Sequence, residues 1–165
     1  MGEYRVFISR SSEDAGVAKL LCAWIEKAGA LPVMGETHLE GGATFRQSLC
    51  CLVPSCNECV VILSPSALNS PWVSWELGLA DAEERMVVPF LYEMKKSELS
   101  RDERWQALIG DRTAFQFDQV ETYYRELVER VARFEERSNA EIDPVGDTEL
   151  ENKISEIVRA MRRKT

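Results

Sequence analysis

Residues 59–91 read CVVILSPSALNSPWVSWELGLADAEERMVVPFL. Cys59-Val60-Val61-Ile62-Leu63-Ser64-Pro65 is apolar without alternation, and so is Met86-Val87-Val88-Pro89-Phe90-Leu91. Unbroken apolar runs of this kind mark strands covered on both faces, the condition of a parallel sheet. Between them, Ser70 and Pro71 make a helix start: a serine able to cap free N–H groups, then a proline in the first turn. Strand, helix, strand is one parallel unit. Trp72 and Glu76 lie four apart and share a helix face, so a carboxylate stands beside an indole near the start of a helix leaving a strand's carboxyl end. Such a carboxylate can bind ribose hydroxyls or steady a developing cation, and it can equally be a surface charge.

The residues upstream repeat the pattern. Tyr4-Arg5-Val6-Phe7-Ile8-Ser9 reads as a strand, and Arg10-Ser11-Ser12-Glu13-Asp14 as a polar loop rich in capping residues. Val17, Leu20, Leu21, Trp24, Ile25 and Ala28 recur at helical spacing, with Gly29 placed to close the helix. Leu31-Pro32-Val33-Met34 is a second strand, and its proline suits a sheet edge. After a loop from Gly35 to Ala43, Thr44 and Gln47 form a capping box ahead of Phe45, Leu49, Leu52 and Val53.

Downstream, Glu93 to Arg112 is polar and irregular, with a short helix expected about Trp105-Gln106-Ala107-Leu108 that ends near Gly110. Thr113 to Phe117 is a fifth strand, and Val120, Tyr124, Leu127, Val131 and Phe134 define a long amphipathic helix. Residues 1–137 thus make one domain, 138–147 a linker containing Pro144 and Gly146, and 148–165 an amphipathic helix through Leu150, Ile154, Ile157 and Met161. That last helix either packs on its own domain or serves self-association. Five strands alternating with helices give an α/β fold, a flavodoxin-like, doubly wound parallel sheet of order 2-1-3-4-5 with extra C-terminal helices. In that order the chain reverses direction between strands one and three, and a ligand crevice opens above their carboxyl ends, between the Ser9 to Asp14 and Ser64 to Ser70 loops.

Composition narrows the function. Twenty Lys and Arg against 28 Asp and Glu leave a net charge of −8, which argues against nucleic acid and against an anionic membrane as partners. No apolar run approaches the roughly 20 residues of a bilayer span, no leader is visible, and the cytoplasm is the expected location. Five cysteines without scaffold spacing suit a reducing compartment. Cys56-Asn57-Glu58-Cys59 lacks the second pair or the histidines that zinc requires, since His38 is the single histidine, so no metal is expected.

Four stretches, in order and at matching spacing over about residues 4 to 117, resemble the Toll/interleukin-1 receptor (TIR) domain family. Phe7-Ile8-Ser9-Arg10-Ser11-Ser12-Glu13-Asp14 is similar to its first box, and Leu39-Glu40-Gly41-Gly42 falls where the family has its BB loop. Val61-Ile62-Leu63-Ser64-Pro65 resembles the strand before its third helix, and Trp72-Val73-Ser74-Trp75-Glu76 fits the W-x-x-x-E arrangement of TIR domains that cleave NAD+.

The resemblance implies an NAD+ glycohydrolase or cyclase of prokaryotic type, in antiphage defence or stress signalling, with NAD+ as substrate and no cofactor. It assigns catalysis to Glu76, nucleotide contacts to Arg10 and Ser11, a pocket border to Glu40, Gly42 and Phe45, and an aromatic wall to Trp72. It also implies homotypic TIR–TIR assembly and leaves room for a fused or separate sensor or effector. A module that only assembles is the alternative. Ser11, Ser12 and Asp14 also suit capping of the first helix, Phe45 shares core spacing with Leu49 and Leu52, and Trp75, about 100° around the helix from Trp72, reads as packing.

Overall fold

The computed structural model describes residues 3–35 and 45–134. The expected linker at 138–147 and the helix at 148–165 lie outside the described residues, as does Thr44 of the anticipated capping box. The chain runs β1 (Arg5–Ser9), α1 (Ala15–Lys27), β2 (Leu31–Val33), α2 (Phe45–Leu52), β3 (Glu58–Leu63) and α3 (Pro65–Leu68). It continues through α4 (Pro71–Ala82), β4 (Met86–Leu91), α5 (Lys96–Leu99), α6 (Glu103–Ile109), β5 (Phe115–Gln116) and α7 (Val120–Phe134). All four strand pairings are parallel and the order is β2-β1-β3-β4-β5. This is the doubly wound sheet that the unbroken apolar runs imply.

Both prolines within strands sit where a missing N–H is tolerated. Pro32 lies on the edge strand β2, and β5 pairs only with Phe90 and Leu91, so β4 has no strand beside Pro89 on that side. Side chains alternate across the sheet and divide the core in two. Val6, Ile8, Val60, Ile62, Val88 and Phe90 pack against α1 and α7 on one face. Phe7, Cys59, Val61, Leu63, Val87 and Leu91 pack against α2, α4 and α6 on the other.

Three local readings change. The run ending at Pro65 is not all strand: β3 stops at Leu63, and Ser64 caps α3 by accepting from the Ala67 N–H at 3.0 Å. The polar stretch after β4 holds two short helices, and Trp105 of α6 is fully buried, its Nε1–H donating to the Leu68 carbonyl at 3.1 Å. Gly110 ends α6 at φ +59°, a conformation open to glycine. β5 is shorter than expected, because Phe117 begins a 3-10 turn. Among the described residues, no helix is long and apolar enough to cross a membrane.

Candidate active site

α4 is held at its start as its sequence dictates. Ser70 is the N-cap, its Oγ accepting from the Val73 N–H at 3.4 Å, and Pro71 follows. Beyond this turn the buried positions are Val73, Glu76, Leu77 and Ala80, one stripe at helical spacing that lies on the sheet. Glu76 is therefore a member of the core-facing row, with only 7% of its surface exposed. Trp72, one turn earlier, is 45% exposed, its ring edge-on to Trp75 with centroids 6.4 Å apart. Trp75 is partly buried against the core.

A carboxylate among apolar neighbours needs a donor. Ser9, the last residue of β1, supplies one: its Oγ donates to Glu76 Oε2 at 2.5 Å. Ser9 is fully buried, on the same sheet face as Phe7 by the two-residue period of the strand. The pair bridges the carboxyl end of β1 to α4, at the place where α1 and α4 depart to opposite faces of the sheet. The reversal point inferred from strand order is where the buried carboxylate lies.

A second buried carboxylate occupies the same end of the sheet. Asp14 Oδ2 accepts from Ser11 Oγ at 2.6 Å, Ser64 Oγ at 2.7 Å and Ser66 Oγ at 3.5 Å. These bonds join the loop after β1 to the loop after β3. Capping therefore does not describe Ser11 or Asp14: neither side chain makes a cap hydrogen bond, because the Asp14 carboxylate is drawn instead to three hydroxyls. Arg10 lies in the same loop, its Nη1 donating to the Ser11 carbonyl at 2.9 Å.

Arg10 and Ser11 thus lie in the loop after β1 and Glu76 against the end of that strand, with Trp72 one turn earlier on α4. Glu40 and Gly42 lie outside the described residues, and Phe45 opens α2. Spacing in the sequence does not mark the partners Ser9, Ser64 and Ser66. For Ser9 and Ser64 a signal is present: each is a serine at or just after the end of an otherwise apolar strand, where a buried hydroxyl must find an acceptor.

The Cys56–Cys59 pair does not compete for the chemistry. Burial pushes the Cys59 thiol well above its usual range, and the nearby negative charge of Glu76 pushes it further. Burial likewise raises Cys56. Both are therefore held as inert thiols. Among the described residues, no group of His, Cys, Asp and Glu is arranged to hold a metal ion.

A doubly wound sheet with two buried carboxylates bonded to serines at its reversal point defines the class. Within it, the TIR domain family model matches residues 6–130, well over half of the chain, and the protein belongs to that family. No curated protein sequence matches it. Among solved structures, the chain is similar to the TIR domains of the activated Roq1 resistosome directly recognizing the pathogen effector XopQ. That match has 22% identity and a TM-score of 0.53, over 96% of this chain and 99% of that one. It is also similar to the TIR domain of the Toll-related receptor TRR-2 from Hydra magnipapillata, with 18% identity and a TM-score of 0.59 over 76% of this chain and 96% of that one. At these identities the likeness is one of fold.

Proposed function

We propose that this TIR domain cleaves the nicotinamide–ribose bond of NAD+, with Glu76 as the catalytic residue. The observation that carries the reading is the Glu76 carboxylate, buried at the sheet's reversal point and held by Ser9. In the reaction the C1′–N bond breaks and its electron pair leaves with nicotinamide, neutralising the pyridinium ring. Positive charge is then left on the ribose. A fixed, buried carboxylate stabilises that charge as it develops, where water screens it less than at an exposed surface. Water adding at C1′ with loss of a proton gives ADP-ribose; attack by an adenine nitrogen or a hydroxyl of the same molecule, again with loss of a proton, gives a cyclic isomer. Neither route needs a metal or a redox cofactor. In this reading Arg10 and Ser11 meet the nucleotide, and Trp72 walls the entrance.

The test is NAD+ consumption by the wild type and by Glu76→Ala at high protein concentration. Wild-type turnover with loss of 10²-fold or more in the variant is expected, on the order of the effect of removing one transition-state charge partner. Equal turnover in both sinks the assignment. The alternative is a module that only assembles, to which the exposed Trp72 would lend a contact. Concentration-dependent association with NAD+ left intact, even in forced assemblies, would establish it.

A further inference from the structure

We infer that Ser9 is a positioning residue for NAD+ cleavage, setting the orientation of the Glu76 carboxylate without touching the substrate. The inference rests on the reading of Glu76 as catalytic. Ser9 exposes none of its surface, so no ligand in the crevice reaches it. Its hydroxyl nevertheless donates to Glu76 Oε2, across 67 positions of sequence, from the last residue of a central strand to a helix.

Both ends of this bond are anchored. Ser9 pairs in register with Val61 of β3, and Glu76 lies in the stripe of α4 that packs on β1 and β3. Between two fixed backbones, a glutamate still has three side-chain torsions to order. One bond to a rigid strand selects among those rotamers and fixes the plane of the carboxylate. A catalytic group must be held to within a fraction of an ångström to stabilise charge at a defined carbon, and supporting hydrogen bonds are how that precision is reached. A methyl group at position 9 would leave α4 docked through Val73, Leu77 and Ala80 while removing this restraint on the carboxylate.

The experiment compares Ser9→Ala, Ser9→Cys and Ser9→Thr, each also combined with Glu76→Asp, whose carboxylate is one methylene too short for the bond. Steady-state NAD+ consumption and thermal midpoint are read on each. Ser9→Ala, and Ser9→Cys with its near-equal size and weak donor, are expected to lower kcat on the order of 10- to 100-fold, with KM for NAD+ changed by less than about threefold. Ser9→Thr keeps a hydroxyl and is expected to retain most of the rate. In the Glu76→Asp background, Ser9→Ala should cost little more, because the partner it acts through is already displaced.

Wild-type kcat in Ser9→Ala overturns the inference and leaves Glu76 catalytic. So does an equal loss in both backgrounds, or a loss in all three variants that tracks unfolded protein. If the wild type itself consumes no NAD+, the catalytic reading of Glu76 falls first and Ser9's role falls with it.

Discussion

Asp14 and Glu76 are both carboxylates, both buried, and both at the same end of the sheet, yet the serines around them sort their roles. Asp14 gathers hydroxyls from two loops onto a single oxygen, which is what a staple does. Glu76 receives a strand serine and sits one turn behind an exposed tryptophan, as the proposed catalytic role requires. Removing the charge at position 14 while keeping the shape tests the staple. Asp14→Asn replaces a charged acceptor by a neutral amide amid hydroxyls, and is expected to lower stability by about 2 kcal/mol. Urea unfolding should show the midpoint falling with an unchanged slope; an unmoved midpoint would mean that the loops are held by other contacts. Glu76 itself was legible because four-residue spacing links it to Trp72. Its serine partner was not, because nothing local in a sequence says which acceptor a strand-end hydroxyl will meet 67 residues later.

At the scale of elements, α4 repays a comparison with α3. Ser64-Pro65 and Ser70-Pro71 carry the same start signal, and both serines cap, accepting from Ala67 and Val73 N–H groups respectively. Only the second reads as a helix from sequence, since α3 has a single turn and follows an apolar run that resembles a strand to its end. The strands and long helices were legible for the opposite reason: their burial spans enough residues for a period to show. What spacing alone left open was how far α4 is rotated, and Val73, Leu77 and Ala80 decide it by turning Glu76 onto the sheet. The cap bond of α4 is long at 3.4 Å, so its contribution should be at the lower end for such residues. Ser70→Ala is expected to cost about 0.5–1 kcal/mol, and Ser70→Gly a few tenths. Denaturant midpoints of the two variants test this, and an Ala variant as stable as wild type would show that Pro71 and burial alone set the start of α4.

Across the whole molecule, the two ends of the sheet are built for different purposes. The carboxyl end carries the hydroxyls and carboxylates of the candidate site, whereas the amino end carries one fully buried glutamate, Glu58, at the start of β3. Tyr4 and Tyr123 donate their hydroxyls to it at 2.9 and 2.6 Å, and Arg130 Nε donates at 2.9 Å, so that β3 and α7 are tied together with the segment leading into β1. Sequence placed Glu58 inside a Cys-x-x-Cys and offered no partner for it; the partners lie 54, 65 and 72 positions away. Burial first, and then the charge of Glu58, push both tyrosines above the usual phenol range. Because the folded state holds these protons more tightly than the unfolded chain, their contribution to stability is complete below about pH 10 and declines as pH rises beyond it. Tyr4→Phe and Tyr123→Phe should each lose about 1–3 kcal/mol at neutral pH, by removing a donor from a buried carboxylate. Each should also flatten the fall in stability above about pH 10, and the double variant most of all. Unfolding free energies measured from neutral to alkaline pH would test both halves of the claim. Parallel alkaline slopes in wild type and double variant would show that these phenols carry no linked proton, and that the amino end of the sheet is held by packing instead.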